Sequence, residues 1–105
     1  MRERRVIVLA ALSAALAISA GAFGAHAAAG QAIDWLKTGA QYQLTHAIAA
    51  IVLADRAKTA TWLLLAGSLL FAFTLYAMAL GAPHWLGAIT PLGGLAMIAG
   101  WSLIA

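Results

Sequence analysis

The sequence predicts an all-α protein, a four-helix bundle embedded in a membrane with both termini on the cytoplasmic side. Three observations predict it. Hydrophobic residues make up 65% of the chain and charged residues 9%, where a soluble domain has about 45–50% and about 25%. A water-soluble fold of 105 residues has too little polar surface to cover that much apolar area, so lipid is the expected solvent. Uncharged stretches of bilayer-crossing length recur along the chain, and its cations fall in clusters that four crossings bring to one side.

The first helix is expected over 6–27, behind the basic leader Arg2-Glu3-Arg4-Arg5. The uncharged run from Val6 to Phe23, at ~1.5 Å per residue, approaches the roughly 30 Å of a hydrocarbon core. Ala25-His26-Ala27 imitates a signal-peptide cleavage site. The apolar run is longer than the roughly 7–15 residues of a signal core, so the segment is expected to be retained. Residues 28–38 read as a loop along the outer interface. A second helix, over 39–54, is polar in its first half (Gln41, Tyr42, Gln43, Thr45, His46) and apolar from Ala47 to Ala54. Asp55, Arg56 and Lys58 mark a short turn. The third helix, over 62–80, carries no charge and ends at Gly81-Ala82-Pro83-His84, where glycine and proline together break it. The fourth runs over 85–105 with Thr90-Pro91 inside it. Either the helix proper starts there, with Thr90 as cap and Pro91 at the first helical position, or a longer helix kinks. The whole, 1–105, is one transmembrane domain.

Orientation follows from charge. With four crossings, Arg2, Arg4, Arg5, Arg56 and Lys58 share one side and only Lys37 lies on the other. The bias of Lys and Arg toward the cytoplasm then places both termini inside. Trp62 and Trp101 fall at the inner boundary, and Trp35, Tyr42, Tyr76 and Trp85 at or near the outer one, as an interfacial aromatic belt requires.

Hydrophobicity cannot drive helix association within lipid, so close contacts need small residues. The first helix offers Ala11, Ala15 and Ser19 in one row, and Ala17, Gly21 and Ala25 in another, with Gly24 nearby. The last helix offers Gly93, Gly94, Ala96 and Gly100. These faces are expected to lie against other helices of this chain or of a copy.

The same topology gathers polar residues in the outer half: His26 at the end of the first helix, Tyr42, Gln43 and His46 on the second, Tyr76 on the third and Thr90 at the opening of the fourth. A histidine within hydrocarbon is costly unless satisfied. The favoured reading is a hydrogen-bonded knot that pins helix ends. The alternative is a small-ligand site for a quinone, a lipid head group or haem. No metal is expected, because two histidines without carboxylate or thiolate support make a poor ligand set. Nor is a cofactor, and the lack of cysteine excludes thiolate ligation and disulfides. The serines have no triad-like context and the three carboxylates lie in leader, loop or turn positions, so the chain reads as no enzyme. A small transporter is a third reading, weakened by the lack of an ionisable acid inside the helices. The cations form no stripe, which gives nucleic-acid binding no support.

Three ordered motifs carry a family resemblance: Gly21-Ala22-Phe23-Gly24-Ala25-His26; Thr38-Gly39-Ala40-Gln41-Tyr42-Gln43-Leu44-Thr45-His46-Ala47; and Ile89-Thr90-Pro91-Leu92-Gly93-Gly94 followed by Gly100-Trp101. From Gly21 onward the chain resembles a small bacterial membrane family described as domain of unknown function 423, and it is similar to the eukaryotic transmembrane protein 256. The third helix departs: the family pattern FSGSLY is replaced by Phe71-Ala72-Phe73-Thr74-Leu75-Tyr76, so this helix is expected to face lipid or a partner subunit there. The resemblance implies four helices, an uncleaved first segment and the bacterial inner membrane, and it implies no activity. With almost no extramembrane mass, the chain is expected to be a non-catalytic accessory or assembly subunit of a larger inner-membrane complex, or a homo-oligomer, with the lipid bilayer as its other partner.

Overall fold

The computed structural model describes residues 2–105, and the described residues are almost entirely helical. Alanine- and leucine-rich sequence favours this, and most of the glycines within the helices serve close packing. Helix α1 spans Arg2–His26, α2 Gln31–Leu53, α3 Lys58–Ala79 and α4 Thr90–Ile104, with a 3-10 turn at His84–Ala88 before α4.

The connections explain the boundaries. Gly30, at φ 62°, takes a left-handed conformation that other residues adopt only at a cost, and α2 starts directly after it. The expected loop at 28–38 is therefore mostly helix. Charge and polarity at Asp34 and Lys37 suggested a surface loop, but both sit exposed on the first turns of α2. Between α2 and α3, the amides of Arg56 and Ala57 both donate to the Leu53 carbonyl, at 3.0 Å each, closing a tight turn. Helix α3 ends in a Schellman motif around Gly81, at φ 104°: Ala82 N–H donates to Ala77 O at 2.9 Å and Gly81 N–H to Met78 O at 3.1 Å. Pro83 follows and prevents continuation.

The two alternatives for the last segment are now decided. Residues before Thr90 form the separate 3-10 turn, and α4 starts with Pro91 in its first turn, where the missing N–H costs nothing. Ile89 and not Thr90 occupies the cap position.

Three segments are long and apolar enough to cross a bilayer: Glu3–His26, Lys58–Ala79 and His84–Ile104. Helix α2, at 23 residues and ~1.5 Å each, has the length but carries polar residues. Of these, Gln43 and His46 are buried within the protein, so hydropathy overstates what α2 shows its surroundings.

Consecutive helices pack side by side, α1 on α2, α2 on α3 and α3 on α4. Helix α1 touches α3 only marginally, and among the described residues α4 does not approach α1. The assembly is thus open between its first and last helices. Val6 and Ala10 of α1, Ala47, Ala50 and Ala54 of α2 and Leu65 of α3 form a core at the end holding the α2–α3 turn. On α1 the buried row is Val6, Ala10, Ser13 and Ala17, while Ala11, Ala15, Ser19 and Ala25 are exposed. Phe73, at the departure from the family pattern, is 48% exposed, as a side chain turned outward should be.

The tightest contact joins α3 to α4. A Cβ added at Gly93 would lie 2.5 Å from the Gly67 carbonyl and 2.6 Å from the Phe71 amide nitrogen, and one at Gly67 2.8 Å from Ala96 Cβ. Gly100 likewise accommodates Leu64, and Gly24 admits Leu36 of α2 at 3.0 Å. Gly21 is less demanding, with Ala40 at 3.6 Å, and Gly94 faces open space; it is not a packing residue. Gly93→Ala should destabilise the protein by about 1–3 kcal/mol through overpacking, whereas Gly94→Ala should change it by less than about 0.5 kcal/mol. Unfolding midpoints in detergent titration measure both; equal midpoints for the two variants would contradict this packing.

Candidate functional site

The polar residues form three interhelical nodes, the largest centred on Gln43 near the midpoint of α2. Gln43, fully buried, is the hub. Its Nε2 donates to Ser13 Oγ of α1 at 3.0 Å, and its Oε1 accepts from the Tyr76 hydroxyl of α3 at 2.6 Å. One amide therefore ties three helices. Ser13 and Gln43 stand near the midpoints of their helices, whereas Tyr76 lies in the last turn of α3. The reach is explained by direction: helical side chains lean toward their own N-terminus. In antiparallel α2 and α3, Gln43 and Tyr76 lean toward each other. The phenol ring crosses α2 at Gly39, where an added Cβ would sit 2.6 Å from Tyr76 Cε1. Glycine there is the space the ring occupies.

His46 is the second node. Trp101 of α4 donates its indole N–H to His46 Nε2 at 2.9 Å. An indole nitrogen can only donate, so Nε2 is unprotonated and Nδ1 carries the hydrogen. Nδ1 donates in turn to the Tyr42 carbonyl at 2.7 Å. Both ring nitrogens are engaged. The pair bridges α2 and α4, whose backbones do not pack directly. The rings stand edge to face at 5.7 Å, a favourable aromatic geometry.

A third node joins α3 and α4. Thr74 and Thr90 hydroxyls lie 2.6 Å apart, and each also reaches helix carbonyls, Thr74 those of Leu70 and Phe71 and Thr90 that of Leu86. Both side chains are buried.

Of the residues the sequence pointed to, Gln43, His46, Tyr76 and Thr90 enter these nodes. Tyr42 contributes its carbonyl, while its ring stacks on His46 at 6.1 Å and meets Phe71 at a tilt at 4.8 Å, and the residue is 45% exposed. His26 is exposed at the end of α1, outside all three nodes, because α1 ends beyond the depth of Gln43. His84 packs edge-on against Trp35 at 5.3 Å, joining the start of α2 to the 3-10 turn. Ser13, Thr74 and Trp101 lie outside the polar cluster that the sequence predicts, yet all three enter the nodes. Trp101 had been placed in the inner aromatic belt. Ser13 was recognisable only from its register with Val6, Ala10 and Ala17.

Chemically, the nodes offer little. Among the described residues no group of three or more His, Cys, Asp or Glu side chains could hold a metal. Gln43 Nε2 and Oε1 and His46 Nε2, which could have met a ligand, are bonded across helices, and His46 Nδ1 is bonded within α2. Among the described buried side chains, only the Thr61 hydroxyl lacks a partner.

The comparisons with known proteins bear on the membrane character of the chain. The family model described as "Protein of unknown function (DUF423)" matches residues 20–94, which include every node residue except Ser13 and Trp101. The chain is 43% identical to the UPF0382 membrane protein YwdK of Bacillus subtilis (strain 168), over 93% of this chain and 90% of that protein. It is 38% identical to the UPF0382 membrane protein SH2409 of Staphylococcus haemolyticus, over 93% and 89%. It is 32% identical to the UPF0382 inner membrane protein YgdD of Escherichia coli (strain K12), over 99% and 88%. No solved structure matches. A helical chain with three bilayer-length apolar segments, matched along nearly its whole length by membrane proteins, is itself a membrane protein, and it belongs to the DUF423 family.

Proposed function

We propose that the protein is a non-catalytic, multi-pass subunit of the bacterial inner membrane that accompanies or helps assemble a larger membrane complex. One observation carries the reading. The buried side chains Gln43, His46 and Thr90, with Tyr76, are spent on holding helices together, while the outward faces of α1 and α4 are long and apolar. Leu12, Ile18, Leu95 and Ile98 are each more than 60% exposed. A protein whose buried polar groups close on themselves and whose outer faces are apolar is built to be packed against.

The orientation that fits has both termini in the cytoplasm. Arg4, Arg5, Arg56 and Lys58 then share the inner face with the α2–α3 turn, and the Gly30 and Gly81 turns face outward. The chain has no cysteine, so single introduced cysteines report topology directly. A membrane-impermeant maleimide applied to intact cells should label Ala29→Cys and Ala82→Cys but not Ala57→Cys until the membrane is opened. Labelling of Ala57→Cys from outside would overturn the orientation.

The competing ligand-binding reading uses His26, Gln43, His46 and Thr90, of which the last three are bonded within the fold. Gln43→Leu removes two interhelical hydrogen bonds and should lower stability by about 1–3 kcal/mol. Trp101→Phe removes one and should cost about 0.5–2 kcal/mol. Unchanged unfolding midpoints, together with loss of a co-purifying quinone, lipid or haem, would favour the ligand site instead.

The accessory role is tested by gentle detergent extraction from native membranes. Larger membrane subunits should be recovered in fixed proportion with the chain. Recovery of the chain free of any other protein would sink the proposal.

A further inference from the structure

The side of α2 opposite its core residues has a polar composition that lipid does not explain. Asp34, Lys37, Gln41, Thr45, Ile48 and Val52 are all exposed, and their spacing of three or four residues puts them on one face. Asp34 and Lys37 lie at the end that meets water. Gln41 and Thr45 lie one and two turns further along, beyond the last charge, on the way to the wholly apolar Ile48 and Val52. With Tyr42 and His46 they line a shallow depression of about 280 Å³. Among the described residues, the amide of Gln41 and the hydroxyls of Thr45 and Tyr42 have no hydrogen-bond partner.

The exposed hydroxyls of Ser19 and Ser102 behave differently. Ser19 on α1 donates to the Ala15 carbonyl at 2.9 Å, and Ser102 on α4 to the Ile98 carbonyl at 2.8 Å. Each closes on its own helix four residues back, which is how a hydroxyl is satisfied where water is absent. Thr45 makes no such bond, and Gln41 presents donors and an acceptor outward. An open amide within the membrane is costly, so this face is complete only when something covers it.

We propose that a second copy of this chain covers it, with α2 packed against α2 about an axis along the membrane normal. Two copies inserted in the same orientation bring identical residues to the same depth. A glutamine amide is self-complementary, because each copy's Nε2 can donate to the other's Oε1. Gln41 therefore meets Gln41, and Ile48 and Val52, 53% and 66% exposed, continue the seam toward the cytoplasm. Helices α1 and α3 meet over the opposite face of α2, where Ala47 and Ala50 are buried, so nothing in the fold obstructs the approach. The outward faces of α1 and α4 stay free, and the pairing does not depend on a larger complex.

Single cysteines in native membranes test this, since the chain has none of its own. Under mild oxidation, Ile48→Cys and Val52→Cys should give a disulfide-linked species of twice the chain mass, because a disulfide needs Cα atoms within about 7 Å. Ile18→Cys on α1 and Ile98→Cys on α4 should give little. Adding Gln41→Leu to Val52→Cys should lower the yield roughly three- to ten-fold, and Gln41→Asn should restore part of it. Equal yields at all four positions would mean random collision and would overturn the proposal. So would a cross-linked species of another mass, which would assign the face to a different protein, or a yield indifferent to Gln41→Leu. Failure to recover larger subunits in detergent would leave these outcomes untouched, so the two readings fail separately.

Discussion

A buried amide with no water to turn to governs this structure. In a bilayer core every polar atom must find its partner within protein, and Gln43 finds two, on helices to either side of its own. Because donor and acceptor ends of one short side chain are both fixed, α1, α2 and α3 cannot slide past one another by a turn without breaking a bond. The apolar contacts allow such slippage more readily: alanines along α1 and α2 offer similar surfaces at successive turns. Hydrogen bonds between membrane helices are individually modest. Their value here is in register, since a shifted arrangement leaves an unpaired amide in an apolar interior.

The same logic extends to the far side of α3. Backbone contact between α3 and α4 is set by glycine, Gly67 against Gly93, and this brings carbonyls and amides of the two helices within van der Waals range. Thr74 and Thr90 fix the height of that contact. Helix α4 starts partway down α3 because the 3-10 turn at His84–Ala88 uses up the outermost segment of chain. That offset carries Trp101 to the depth of His46. A fourth helix continuous from Trp85 would have set Trp101 at a different height and turned it by the unmatched rise, and the indole could not have met the imidazole.

What was legible in the sequence follows from which forces act locally. Apolar run length and the Gly81–Pro83 break marked α3 and α4 because helix length and termination are local properties. The second motif pointed to Gln43 and His46 because polar residues in an otherwise apolar run have few places to go. The start of α2 was missed because Asp34 and Lys37 look like loop residues, yet a helix reaching the membrane surface also ends in charges. The depth of the cluster was missed for the same reason: counting from Gly39 put His46 near an end, whereas counting from Gln31 puts it past the middle. His26 was grouped with it by topology alone, and topology gives sidedness without distance. Gly39 and Gly67 could be assigned only from tertiary structure, since their role is to admit Tyr76 and the backbone of α4.

Helix α2 shows how one element reconciles two demands. Its inner face carries Gln43 and His46, satisfied by neighbours, and the helix is too polar to be recognised as a span by hydropathy although it lies between two that are. Its outer face carries Gln41 and Thr45, one or two residues from those satisfied groups along the chain and not satisfied themselves. The distinction is not one of residue type, for Gln41 and Gln43 are chemically identical. It is one of what the fold supplies at each azimuth: α1 and α3 on one side, nothing on the other. A helix with equal polarity on both faces in a medium that tolerates neither unpaired is a helix whose second set of neighbours lies outside the chain.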